Sequence, residues 1–129
     1  MNICPLYRII VLLCAAVAFT GCSTLLPHKS QSVAGTWKNS AGTVWTLKPD
    51  GKFEVEVKAA HPFRTWGTYT VSGDTLTIYD KNPKAPRACR EPGVYHFQRS
   101  GDTLQFTLVK DACRERARQV PLAWHLQKR

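Results

Sequence analysis

From Val33 onward the chain is written in short segments of alternating apolar residues, cut by turn residues, and no stretch sustains the three-to-four spacing of a long amphipathic helix. Alternation with a period of two puts successive side chains on opposite faces of a strand, so the pattern restricts the chain to half-buried antiparallel sheet. Positions 43–48 put Trp45 and Leu47 on one face. After the turn Pro49-Asp50-Gly51-Lys52, Phe53, Val55 and Val57 face one way and Glu54, Glu56 and Lys58 the other, which is a hairpin with one wet side. Segments 65–72 and 75–80 repeat the device around Ser72-Gly73-Asp74, and segments 94–99 and 103–110 repeat it around Ser100-Gly101-Asp102.

An opening strand at 35–39 and a closing one at 120–127 bring the count to about eight, joined by hairpin-length connections. The expected fold is all-β: a small antiparallel up-and-down eight-stranded β-barrel, whose closure removes exposed edges, with a two-sheet sandwich as its rival. The long connection 81–92, with Pro83, Pro86, Pro92 and Cys89, reads as a rim loop. Segment 111–118 breaks the alternation, and Asp111 is a candidate N-cap for one short helical turn before the last strand. Trp45, Leu47, Phe53, Val55, Val57, Leu76, Ile78, Leu104, Phe106, Leu108, Leu122, Trp124 and Leu126 are the expected inward residues. A barrel of eight strands is just wide enough for its own side chains or one small ligand, so this stripe forms either a filled core or an apolar pocket. Trp45, Phe53, Val55, Phe106 and Trp124 are the candidate ligand-lining residues under the second reading.

The beginning of the chain obeys a different rule. Positions 9–19 form an 11-residue apolar run, short of the ~20 residues a helix needs to cross a ~30 Å hydrocarbon core, so it reads as the apolar region of an export signal. The run leads into Phe19-Thr20-Gly21-Cys22. This ending resembles the lipobox of bacterial lipoproteins, in which small residues precede a cysteine that becomes a diacylglyceryl thioether. The family usually has Leu where Phe19 stands, and only one cation, Arg8, precedes the run. The resemblance implies removal of residues 1–21, a lipid anchor on Cys22 and, because Ser23 rather than Asp follows, retention at the outer membrane of a Gram-negative bacterium, facing the periplasm. An ordinary cleaved signal with an incidental cysteine is the alternative. Residues 22–32 are then the anchor and tether, and residues 33–129 the folded domain.

Of five cysteines, Cys4 and Cys14 leave with the signal and Cys22 carries the lipid, so Cys89 and Cys113 remain. An even pair in an oxidising compartment is most simply a disulfide, worth about 3.5 kcal/mol in chain entropy for a loop of this span; two free thiols are the alternative. Losing Arg8 leaves 17 Lys and Arg against 9 Asp and Glu, a net of +8. Such a chain favours anionic neighbours, and beside a membrane these are lipid head groups and envelope polyanions rather than nucleic acid.

Gly35-Thr36-Trp37, Gly67-Thr68-Tyr69, Gly93-Val94-Tyr95 and the stretch Asp111-Ala112-Cys113-Arg114-Glu115-Arg116 ahead of Trp124 together resemble the bacterial lipocalin-like domain, over roughly residues 33–126. The resemblance implies that Trp37 closes one barrel end and packs with a late arginine, by position Arg116, with Arg114 as the alternative. It also implies carriage of a small hydrophobic ligand, although strands of six to eight residues are short for a carrier.

No catalytic constellation accompanies these motifs. His28, His61, His96 and His125 occur singly, without the paired spacing of a zinc site, so no metal and no cofactor is expected. Glu54 and Glu56 are explained by solvated alternation. There is no glycine-rich phosphate loop and no Gly-x-Ser-x-Gly. The expected function is therefore non-enzymatic: a lipid-anchored, monomeric envelope protein binding a small hydrophobic ligand or a protein partner. A periplasmic inhibitor of the lysozyme-inhibitor type is the alternative, and the basic charge counts against it because host lysozymes are basic too.

Overall fold

The computed structural model describes residues 31–58 and 60–128. Eight strands, β1 (Gly35–Asn39), β2 (Val44–Leu47), β3 (Lys52–Val57), β4 (Phe63–Ser72), β5 (Thr75–Asp80), β6 (Gly93–Ser100), β7 (Thr103–Lys110) and β8 (Trp124–Leu126), form a closed antiparallel barrel in sequence order. Closure runs through Trp37 opposite Leu126, Lys38 opposite His125 and Asn39 opposite Trp124. Two short helices interrupt the meander: α1 (Arg87–Arg90) between β5 and β6, and α2 (Arg114–Gln119) between β7 and β8. The architecture is a small closed up-and-down barrel, consistent with the lipocalin-like resemblance.

Local chemistry accounts for the elements. Gly73 and Gly101, at φ +59° and +57°, open the two-residue turns that join β4 to β5 and β6 to β7. A tight hairpin turn whose twist matches the strands needs a positive φ at its first position, which glycine adopts without the Cβ clash. Gly67 on β4 answers a different need. A Cβ there would collide with the Tyr79 carbonyl oxygen of the neighbouring strand, and the Phe53 ring lies 2.9 Å from its position.

The interior is aromatic. Trp37, Trp45, Trp124, Tyr95, Phe106, Leu47, Leu76, Ile78 and Leu104 are fully buried, and Trp45 packs on Phe106, Trp124 and Phe53 at ring-centroid distances of 5.4, 5.3 and 6.2 Å. Two indoles donate to carbonyls four residues upstream, Trp37 Nε1 to Val33 at 2.9 Å and Trp124 Nε1 to Val120 at 2.9 Å. A buried indole needs such a partner, and each bond also pins the chain leading into its strand.

Some expectations are corrected. The turn expected before the last strand is α2, but its N-cap is Cys113; Asp111, two residues earlier, instead accepts the Cys113 N–H at 2.8 Å. Val120 caps α2 rather than opening the strand, so β8 spans three residues instead of the eight expected at 120–127. Segment 81–92 holds α1. Leu108 is 44% exposed although its alternation points inward, because β8 pairs with β7 only at Thr103 and Leu104 and leaves the far half of β7 without a covering strand. Val57 and Leu122 are half-buried. Tyr95 and Phe97, absent from the expected inward residues, belong to the core.

Candidate functional site

The two barrel ends differ. One carries the tight turns after β2, β4 and β6 together with the chain entering β1. Val33 is buried there, and the Arg99 guanidinium lies over the Trp37 ring at 5.1 Å from its centroid. Arg99 is held by donating from Nη1 to the Ser32 carbonyl at 2.6 Å and from Nε to the Gly101 carbonyl at 3.0 Å, while its backbone N–H donates to Gln31 Oε1 at 2.9 Å. The cation that stacks on the closing tryptophan is therefore Arg99. The expected pairing of Trp37 with Arg116 is corrected: Arg116 sits on α2, at the other end. The physical reason is reach: Arg99, at the end of β6, extends over the filled end to Trp37, whereas Arg116 on α2 is held at the opposite end by Asp111 and the carbonyls of Cys89 and Glu91.

The second end, where the longer connections gather, opens into a cup of about 470 Å³. Its floor is Trp45, Trp124, Phe53 and Ile78, and its wall includes Val55, Val57, Phe63 and Val120, with Cys89, Cys113, Ala85 and Pro86 on the rim. Of the five candidate ligand-lining residues, Trp45, Phe53, Val55 and Trp124 line this cup; Phe106 is packed beneath them in the core. The indole N–H of Trp45 is buried and has no partner among the described residues. Polar groups at the mouth satisfy one another: the Thr65 hydroxyl donates to Asp80 at 2.8 Å, and Gln119 Oε1 accepts from Asn39 Nδ2 at 3.2 Å and from the Thr43 hydroxyl at 3.4 Å. Arg64 and Lys84 supply positive charge there, and Asp80 and Glu115 negative charge.

The rim is fixed by a disulfide and a buried ion pair. Cys89 of α1 is bonded to Cys113, tying the proline-rich connection to the start of α2. Next to it, Arg116 donates from Nε to Asp111 Oδ2 at 2.6 Å, from Nη2 to Asp111 Oδ1 at 2.8 Å, and to the carbonyls of Cys89 and Glu91 at 2.8 Å each. The Tyr95 hydroxyl donates to the same carboxylate. The side chains of Arg116 and Asp111 are 10% and 0% exposed. Burial alone would raise the Asp111 pKa, but the bonds from Arg116, Tyr95 and the Cys113 N–H outweigh it and hold the carboxyl below its ordinary value. Burial, reinforced by the adjacent carboxylate, pushes the Tyr95 phenol far above its ordinary range. Gly93 makes room for this knot. A Cβ there would collide with Asp111 Oδ2 and lie 2.9 Å from Arg116 Nε. Four of the five guanidinium N–H donors and both carboxylate oxygens are engaged inside the cluster, which makes it a structural clasp.

His96 lies on β6 opposite Thr107, and His125 on β8 opposite Thr103, with β7 between them. Among the described residues no three metal-ligating side chains converge. Glu54 and Glu56 face outward on β3, paired to Lys48 and Arg64. Cys22 and His28 lie outside the described residues. Comparison with protein-family models finds none that matches this chain, and comparison with curated proteins finds no match.

Proposed function

We propose that this chain is a non-enzymatic, lipid-anchored envelope protein that holds one small apolar ligand in the open end of its barrel. The observation that carries the binding reading is the cup itself: about 470 Å³ lies within the ~300–1,000 Å³ of small-ligand sites, and its floor and most of its wall are aromatic or aliphatic. Water in such a space gains few hydrogen bonds, so an apolar molecule of fitting shape displaces it favourably at about 25 cal/mol per Å² of apolar surface removed from water. The disulfide and the Asp111–Arg116 clasp hold the mouth open by fixing α1 and α2 to the barrel wall. Such rigidity lowers the ordering cost of binding. The anchor at Cys22 and the outer-membrane location are supported by the sequence of residues 9–23 alone.

A neutral apolar dye, N-phenyl-1-naphthylamine, tests the reading. Saturable one-to-one binding is expected with the wild type, together with at least tenfold weaker binding in Val57→Trp, which fills the cup from its wall. Absence of saturable binding, or equal affinity in a folded Val57→Trp variant, refutes it.

A further inference from the structure

We propose that the outer face of β2, β3 and β4 is a second binding site, a platform on which a neutral sugar ring stacks against Trp66. This face lies outside the barrel, and Arg64 borders both it and the mouth of the cup. Register sets Trp66 directly opposite Glu54 and sets Arg64 opposite Glu56, while Thr46 and Val44 flank the two glutamates from β2. Together they line a shallow groove of about 330 Å³, at the small end of ligand sites.

Trp66 is 47% exposed, whereas Trp37, Trp45 and Trp124 are buried at 1% or less. Among the described residues no aromatic ring or cation stacks on it. Leaving so large an apolar ring in water forgoes its burial, and nothing in the fold requires tryptophan at an outward position of β4.

The surrounding groups indicate what would cover it. Lys48 pairs with Glu54, Arg64 with Glu56 at 3.5 Å and Lys52 with Asp50 at 3.5 Å, so the cations on and beside this face are matched by carboxylates in a chain whose net charge is +9. An ionic ligand therefore gains no local attraction here. The pairs nevertheless keep unspent hydrogen-bonding capacity, because a carboxylate has about four lone-pair sites and a guanidinium five N–H donors. A ligand matched to one bare aromatic face amid balanced donors and acceptors is neutral and rich in hydroxyl groups. A pyranose fits: its C–H face meets the electron-rich indole face, and its hydroxyls both donate and accept. A protein interface fits less well, since its core requires several contiguous apolar anchors and Trp66 is the only large one in the groove.

Because Trp66 is the only well-exposed tryptophan, its emission reports the site. Chitotetraose and cellotetraose, both neutral, are titrated into the wild type while emission is followed. Calorimetry is run in parallel on wild type, Trp66→Ala, Trp66→Phe and Glu54→Gln/Glu56→Gln. At least one of the two sugars should shift emission to the blue with a dissociation constant below about 1 mM. Trp66→Ala should weaken binding at least tenfold, Trp66→Phe should retain part of it, and the double glutamine variant should fall between. The proposal is overturned if neither sugar moves the emission at 10-fold higher concentration, if Trp66→Ala binds like wild type, or if the face captures a protein without binding either sugar. Melting curves matching wild type confirm that each variant is folded.

Discussion

Replacing Arg116 by alanine isolates the clasp at the barrel rim. In the native structure Arg116 gives the fully buried Asp111 carboxylate two hydrogen bonds, at 2.6 and 2.8 Å, and ties the carbonyls of Cys89 and Glu91 to α2. Truncation leaves that carboxylate buried with only Tyr95 and the Cys113 N–H as donors. Removing one partner of a buried pair costs about 3–5 kcal/mol, against the ~5–15 kcal/mol that separates native from unfolded in a domain of this size. At roughly 4 °C or more per kcal/mol, Arg116→Ala should melt at least about 12 °C below wild type. Arg116→Lys should recover little of this, because an ammonium cannot reproduce the fork that bridges both carboxylate oxygens. Asp111→Asn/Arg116→Met should recover more, since it removes both charges together. The pH dependence has a defined sign. Asp111 is held below its ordinary value, so the stability it contributes is fully present above the unfolded carboxylate pKa of about 3.9 and is lost as pH falls through the folded value. The gap between wild type and Arg116→Ala should therefore narrow on acidification below about pH 4. Urea and thermal melts followed by circular dichroism at pH 7 and pH 3 provide the measurement. An Arg116→Ala variant within about 0.5 kcal/mol of wild type, or a penalty that does not change with pH, refutes the reasoning.

Other outcomes follow from the same structure. Trp37→Ala should lose about 3–5 kcal/mol in urea melts, because the ring is fully buried. Arg99→Ala should lose only ~0.5–2 kcal/mol, the range of a cation over an aromatic face, and equal losses would contradict this division. Non-reducing mass spectrometry should find Cys89 and Cys113 without alkylatable thiols, and replacing both by alanine should lower stability by about 3.5 kcal/mol. Cys22→Ser should move the protein from membrane to soluble fractions on cell fractionation; unchanged partition would remove the anchor from the proposed function. Gly93→Ala should destabilise the fold about as much as Arg116→Ala, since the added methyl pushes the same clasp apart, and a wild-type melt would show that the cluster can yield.

The residues themselves determined the strands. Period-two alternation and the turn residues at Gly51, Gly73 and Gly101 are local signals, each complete within a few positions, so the all-β class and the order of the hairpins were legible before any fold was known. The paired cysteines were legible by elimination. The identity of the arginine over Trp37 was not, because Arg99 and Arg116 are both late arginines and only the direction in which β6 and α2 leave the barrel separates them. The shortness of β8 was hidden for a similar reason: Val120 and Leu122 suit a strand, but tertiary packing uses Val120 to end α2 and to accept the Trp124 indole bond. Whether the bulky inward stripe fills the barrel was equally undecided by composition. Trp37, Tyr95 and Phe106 lie wholly within the core, while Trp45, Phe53 and Trp124, buried in the same cluster, also floor a cup whose wall includes Val55, and the cup exists only because α1 and α2 ring the mouth without filling it. Sequence fixes which face of a strand a residue occupies; how far along the barrel axis that face stays covered depends on strands and loops distant in the chain.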